Sequence, residues 1–203
     1  LEDALKMYQE AEVYQDSTEQ KVHYSTVYIN IADVHLEMDN YESAKGYYWK
    51  IIDLAQESDR LTLLGKGFSG LSQVLVEQDS LGEALEYALQ AVQLEQEAGN
   101  NREYALANLG LSNIYLATSD YEKAIETATI AKNWAMEKGE PAKVRDASFN
   151  LSKAYAELGD YQLGYENLSE YQPIEDSLVS AKSIREAADL AATYEFEKET
   201  ERM

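Results

Sequence analysis

The chain has 203 residues, of which 45% are apolar, with two prolines and no cysteine. The missing cysteine excludes disulfides, thiolate-bound zinc and thiol nucleophiles. The 17 basic and 38 acidic residues give a net charge of −21. Such a surface repels nucleic acid phosphates and anionic membranes, so a basic or neutral ligand is easier to accept.

A pattern that returns at a fixed period organises the sequence. In the stretch 120–131, Ala124, Ala128 and Ala131 follow a spacing of four and then three residues, which places them on one face of a helix. Ala4, Ala44, Ala84 and Gly164 stand in the same register as Ala124. An internal repeat of about 40 residues predicts stacked units of one supersecondary type.

A second helical stripe precedes each of these segments and has the order large, small, then aromatic or large. The four stripes are Tyr28-x-x-Ile31-Ala32-x-x-His35, Phe68-x-x-Leu71-Ser72-x-x-Leu75, Asn108-x-x-Leu111-Ser112-x-x-Tyr115 and Ser148-x-x-Leu151-Ser152-x-x-Tyr155. The loops between the two stripes, such as Ser119-Asp120, are only two or three residues long. Loops that short force the two helices to lie antiparallel.

Turn signals set the predicted boundaries. Gly99 and Gly139 end helices, Pro141 suits a first helical turn, and Pro173 breaks the repeat. Residue 1 falls inside a repeat, so we expect at least one preceding helix. The predicted order is the second helix of a truncated repeat at 1–15, full repeats at 17–57, 58–98, 99–138 and 139–172, and a C-terminal connecting helix at 173–203.

The two stripes together resemble the tetratricopeptide repeat (TPR). The resemblance implies an all-α fold, a right-handed superhelix of antiparallel helix pairs, or α-solenoid. The common TPR has 34 residues, and the six further residues here predict about one added turn on each helix. Long-helix TPRs of this kind resemble those of bacterial sensory and peptide-receptor proteins.

The C-terminal segment carries a second resemblance. Asp176-Ser177-Leu178 and Tyr194-Glu195-Phe196-Glu197-Lys198-Glu199 are similar to the end of the sensor region in membrane-anchored bacterial signalling proteins. In that class a periplasmic TPR array leads to a transmembrane segment and a histidine kinase or helix-turn-helix output domain. The resemblance implies a periplasmic location and membrane attachment only through a missing C-terminal segment. The narrow, mostly alanine stripe of the C-terminal helix suits either docking on the last repeat or pairing with a second copy as a homodimer. A cytoplasmic peptide-receptor-like regulator and an assembly scaffold are the alternatives.

The TPR resemblance also implies a binding groove on the first helix of each pair. The candidate groove residues are Ile29, Asp33, Lys66, Gln73, Leu109, Asn113, Phe149 and Lys153. We expect Lys66, Gln73, Asn113 and Lys153 to hold the backbone or a carboxylate of a peptide or protein partner, and Leu109 and Phe149 to supply apolar pockets. Asp33 stands where the chaperone-binding clamp has an asparagine, which disfavours chaperone tails as partners.

No constellation of residues indicates catalysis, and we expect no enzyme activity, cofactor or metal. His35 lies in the packing stripe, so it is interpreted as a packed side chain. Gly65-Lys66-Gly67 lacks the remaining residues of a phosphate-binding loop and falls within a helical pattern.

Overall fold

A computed structural model describes residues 1–13, 25–170, 175–177 and 179. The described residues form helices and turns only. The helices are α1 (Glu2–Val13), α2 (Ser25–Glu37), α3 (Tyr41–Glu57), α4 (Leu61–Glu77), α5 (Leu81–Glu97), α6 (Asn101–Ala117), α7 (Tyr121–Lys138) and α8 (Pro141–Glu157). Residues 161–170 are also helical. Most of the proposed connecting helix at 173–203 lies outside the described residues.

The helices pack in sequence order as antiparallel neighbours. Each of α2 through α7 contacts the helix before it and the helix after it. In addition, α4 contacts α6, and α6 contacts α8. The core therefore runs continuously between stacked pairs, as expected for an α-solenoid.

The turns from α2 onward share one backbone geometry. One residue of each turn has positive φ, and these residues are 20 positions apart: Asp39, Asp59, Asp79, Gly99, Ser119, Gly139 and Gly159. The following residue donates its N–H to the carbonyl five positions earlier, as Asn40 does to His35 at 2.8 Å. This is the Schellman ending, which satisfies the last carbonyls of a helix.

The additional residues of the repeat, relative to the common TPR, lie in the helices. The turn at 58–60, between repeats, is as short as the turn at 78–80, inside a repeat. Helices α3 to α6 and α8 are each 17 residues long, and α7 has 18. One helix and one turn together therefore make up half of the repeat, both within a pair and between pairs.

Small residues meet where the two helices of a pair cross. Ala44, Ala84 and Ala124 are each 0% exposed. Ser72 Oγ donates a hydrogen bond of 2.8 Å to the backbone carbonyl of Ala84, which is reached because the facing side chain is only a methyl group. A Cβ added at Gly164 would lie 3.2 Å from the Ser152 carbonyl oxygen. These contacts set the spacing of the helix pairs.

Enlarging one of these contacts tests the register. We expect Ala124→Leu to overpack the α6–α7 interface and lower the free energy of unfolding by about 1–3 kcal/mol, measured by urea denaturation. The matched control is Glu122→Leu, at an exposed position on the same helix. Equal destabilisation by both changes would contradict the assigned register.

Candidate functional site

The first helices of successive pairs line one concave cavity of about 930 Å³. Helices α2, α4, α6 and α8 supply most of its wall, and Tyr48, Ala88 and Glu95 reach it from the second helices. Second helices contribute only through such inward-facing side chains because the first helices stand between them and the cavity. The cavity thus crosses all four repeats.

The cavity brings together seven of the eight candidate groove residues. They are Ile29, Asp33, Lys66, Gln73, Leu109, Asn113 and Phe149. Lys153 is not among the lining residues, and its ammonium lies 4.5 Å from the ring centre of Phe149. Leu109 is 7% exposed, so it belongs to the packed wall rather than to an open pocket.

Asp33 is held by a tyrosine of α3, at the packing position that Ala128 occupies two repeats later. Tyr48 is 2% exposed, and its hydroxyl donates to Asp33 Oδ1 at 2.5 Å. Burial raises the pKa of Asp33, and the hydrogen bond from Tyr48 opposes that rise. A Cβ on Gly70 would lie 2.1 Å from Tyr48 Cε1, so the glycine creates the space for this ring.

Replacing Gly70 by alanine tests whether this position must be glycine to leave space for the Tyr48 ring. Comparison with a second glycine separates that effect from the general preference of helices for alanine. We expect Gly70→Ala to lower the free energy of unfolding by about 1–3 kcal/mol, because the methyl group would displace the buried ring. Gly110 occupies the equivalent position one repeat later, with nothing within 4 Å of an added Cβ. Gly110→Ala should instead stabilise the helix by roughly 0.5–1 kcal/mol. Thermal denaturation of the two variants would reveal the opposite signs, and a loss in both would contradict the steric explanation.

An amide network joins α6 and α8 on the cavity wall. Asn150 donates through Nδ2 to Ser112 Oγ and to Asn113 Oδ1, both at 2.6 Å. The Ser112 hydroxyl in turn donates to the Leu109 carbonyl at 2.7 Å. The Asn113 oxygen is thus occupied within the chain. Its exposed NH₂ group is left as the donor toward a ligand.

Lys66 has a structural partner that the sequence does not reveal. Its ammonium lies 3.1 Å from Glu103 Oε1, and Arg102 reaches the same oxygen at 2.9 Å. In this arrangement the Lys66 ammonium is paired within the chain, and its role toward a ligand carboxylate stays a prediction. Glu103 is positioned by its own backbone, since its N–H bonds to the Asn100 side chain at the start of α6.

Glu95 is the functional candidate that sequence analysis missed. It is 1% exposed, and neither carboxyl oxygen has a hydrogen-bond partner within the described part of the chain. A Cβ on Gly65 would lie 2.5 Å from Glu95 Oε1, so that glycine makes room for the carboxyl group. The signal was present in the repeat, because Ala55 and Ala135 occupy the equivalent positions.

The surroundings of Glu95 make its protonation sensitive near neutral pH. The pKa of Glu95 is raised to about 7, mainly by burial; the charge of Glu103 adds to the rise and the charge of Lys66 opposes it. A buried carboxyl group with a pKa in this range can hold or release a proton under physiological conditions.

This pKa gives a stability difference with a defined sign. A glutamate starts from a pKa of 4.5, and the folded state raises that of Glu95 to about 7. The folded state therefore holds the proton more tightly than the unfolded state does. The stabilisation that this gives the folded state is lost as pH rises from 4.5 through 7. Relative to Glu95→Gln, wild-type stability should fall by about 3 kcal/mol over this window.

Urea unfolding of the wild type and Glu95→Gln at about pH 5 and about pH 8 would measure this difference. The exposed Glu86→Gln on the same helix is the matched control, and its stability difference should change little. A Glu95→Gln difference that does not depend on pH would contradict the raised pKa.

Basic residues lie toward the last repeat. Arg145 binds Asp146 at 2.6 Å and Glu175 at 3.1 Å, which ties α8 to residue 175. Lys143 lies 3.9 Å from Asp146. The hydrogen bonds within this group hold the pKa of Arg145 above its usual value, with Asp146 as the main cause.

Two features of other functional classes are not found in the described ranges. None of the helices there is long and apolar enough to cross a membrane. No group of three or more histidine, aspartate or glutamate side chains in the same ranges could hold a metal ion. His35 stacks on Tyr47, with ring centres 5.8 Å apart, and burial lowers its pKa.

One family model matches the sequence. Residues 25–58 match the model described as Tetratricopeptide repeat, a segment that contains α2 and α3. No curated protein sequence matches the chain.

Several solved structures share the fold. BtubC from P. vanneervenii is 17% identical, with a TM-score of 0.71 over 87% of this chain and 74% of that one. Apo RapI is 15% identical, with a TM-score of 0.75 over 87% and 65%. A signal-transduction ATPase with a tetratricopeptide repeat sensor from Pyrococcus horikoshii is 23% identical, with a TM-score of 0.69 over 93% of this chain but 28% of that one.

These similarities concern the fold, because the sequence identities are low. They confirm the all-α solenoid of TPR-type helix pairs predicted from the repeat. Together with the match at 25–58, they support a tetratricopeptide repeat protein, whose fold is generally a non-catalytic scaffold for protein interactions.

Proposed function

We propose that this chain is the ligand-sensing domain of a bacterial signal-transduction or transcription-regulating protein. In this proposal it binds an extended peptide or protein segment in its concave cavity and performs no catalysis itself. The observation that carries the proposal is the cavity, which runs across four repeats and is lined by apolar and hydrogen-bonding side chains together.

Two side-chain amides of the cavity wall have groups without a hydrogen-bond partner among the described residues. Gln73 makes no hydrogen bond within the described ranges, and the Asn113 NH₂ group remains exposed beside it on the next first helix. Amide groups of this kind bind the carbonyl and N–H groups of an extended backbone. Phe149, which is 37% exposed, and Ile29 supply apolar surface at opposite ends of the row.

The signalling role draws support from the fold neighbours. One of them contains a tetratricopeptide repeat sensor within a signal-transduction ATPase. Another is aspartyl phosphate phosphatase F from Bacillus subtilis, which is 14% identical with a TM-score of 0.61 over 84% of this chain and 54% of that one. Both proteins are longer than this chain. An output activity in a longer parent protein is therefore part of what we propose.

The periplasmic location rests on the C-terminal resemblance, and we retain it as part of the proposal. The cytoplasmic peptide-receptor-like regulator differs from it only in compartment and output. Expression of the natural gene with a fluorescent reporter that folds only in the cytoplasm, fused within this domain, would distinguish the two. Fluorescence would contradict the periplasmic location.

Peptide binding can be tested without knowing the natural ligand. We expect a library of synthetic pentapeptides to contain binders whose affinity falls about two- to tenfold in Asn113→Ala or Gln73→Ala, because each change removes a hydrogen-bond donor. Phe149→Ala should weaken binders with an apolar residue. Isothermal titration calorimetry of selected peptides would provide the affinities.

Two variants away from the cavity control for general effects. Asn133→Ala changes an asparagine of α7, and Leu89→Ala removes an exposed leucine of α5. Neither residue lines the concave cavity. Binders that respond equally to these changes and to the cavity changes would place the binding surface elsewhere.

A further inference from the structure

The carboxyl group of Glu95 is buried beside the cavity without a partner. It forms part of the cavity wall, it is 1% exposed, and both of its oxygens lack hydrogen bonds within the residues described. An unpaired polar group of this kind costs free energy that a folded protein usually avoids.

The fold does not require an acid at this position. The equivalent residues of the neighbouring repeats are Ala55 and Ala135, which are 1% and 0% exposed. The facing helix has a glycine at position 65, where the neighbouring repeats have Ser25 and Ala105. An acid in one helix and a glycine in its neighbour together form a local exception to an otherwise regular packing.

The charged groups near Glu95 form one cluster at the cavity wall. Lys66 from α4 and Glu103 from α6 influence its protonation from the two adjoining helices, and both line the cavity. The Lys66 ammonium is bound to Glu103 and makes no hydrogen bond to Glu95. The Lys66 side chain is 37% exposed, so it can rotate into solvent and leave its place to another cation.

We propose that Glu95 and Glu103 form a subsite for a cationic group of the cavity's ligand, the ammonium or guanidinium group of a peptide. This inference rests on the proposed peptide-binding function and specifies the ligand's chemistry. The ligand cation takes the place of the Lys66 ammonium at Glu103 and donates hydrogen bonds to the unpartnered oxygens of Glu95. A chain with a net charge of −21 also attracts cations from a distance.

The proposal reverses the role of Lys66. If this lysine bound a ligand carboxylate, its removal would weaken binding. If Lys66 instead competes with the ligand cation for the subsite, its removal should strengthen the binding of a cationic peptide. The response to Lys66→Gln therefore has opposite signs under the two interpretations.

The experiment uses pentapeptides selected from a synthetic library on the wild-type chain. Each selected peptide is also made with every lysine side chain acetylated, and separately with only its amino terminus acetylated. Affinities are measured for the wild type, Glu95→Gln, Lys66→Gln and the control Glu86→Gln, which removes an exposed acid of the same helix. Circular dichroism melting verifies that each variant is folded.

We expect the selected peptides to be enriched in lysine or arginine. Glu95→Gln should weaken them about ten- to hundredfold, as for the loss of a charged hydrogen bond, and Glu86→Gln should have little effect. Lys66→Gln should strengthen them. Comparison of the peptide acetylated on its lysines with the peptide acetylated on its amino terminus identifies which cation is bound. The lysine-acetylated peptide also tests a lysine side chain on the wild type, even if Glu95→Gln fails to fold.

Two failures are distinguishable. Cavity binders that show no preference for a cation, or that are indifferent to Glu95→Gln and to acetylation, would overturn the cationic subsite and leave the proposed function intact. A library from which no peptide is retained would overturn both.

Discussion

The close approach of helices at small side chains is the contact on which the rest of this structure depends. At Ala84 the backbone comes near enough to accept a hydrogen bond from Ser72 of the preceding helix. The same combination of small residues recurs in the later repeats, as Ser112 with Ala124 and Ser152 with Gly164. Because burying a methyl group yields little hydrophobic free energy, we infer that the alanines contribute mainly by letting the larger side chains around them interlock.

The turns allow this contact to repeat without drift. In each turn, one residue in the left-handed conformation lets the chain reverse within a short loop. Because these residues are 20 positions apart, the helices between them have nearly equal lengths. Glycine adopts that backbone conformation without strain, and aspartate or serine occupies it at four of the seven turns. Helices of matched length and turns of one geometry keep every first helix on the same side. The cavity is the space that this arrangement leaves.

Departures from the repeat create the chemistry of the cavity. Tyr48 replaces the alanine found at 88 and 128, and Gly70 accommodates its ring. Glu95 replaces the alanine found at 55 and 135, and Gly65 accommodates its carboxyl group. In both cases a large or polar side chain on a second helix extends toward the cavity through a gap opened by a glycine on a first helix. A regular scaffold with two such substitutions acquires a buried tyrosine hydroxyl bonded to the Asp33 carboxylate, and the buried acid Glu95.

The sequence alone was enough to predict the all-α solenoid, because a register of small and large residues repeated at a fixed period has few other physical solutions. Of the eight groove residues that it predicted on the first helices, seven line the cavity and Lys153 does not. What only the tertiary structure decided is which polar groups are already paired. Lys66 and Glu103 are 37 positions apart in sequence, and so are Asn113 and Asn150. Their pairing depends on the distance between stacked first helices, which no local pattern encodes. Glu95 stands where the repeat has Ala55 and Ala135, so the register marks the position as unusual. That its carboxyl group is buried without a partner follows from the packing of α5 against Gly65 of α4.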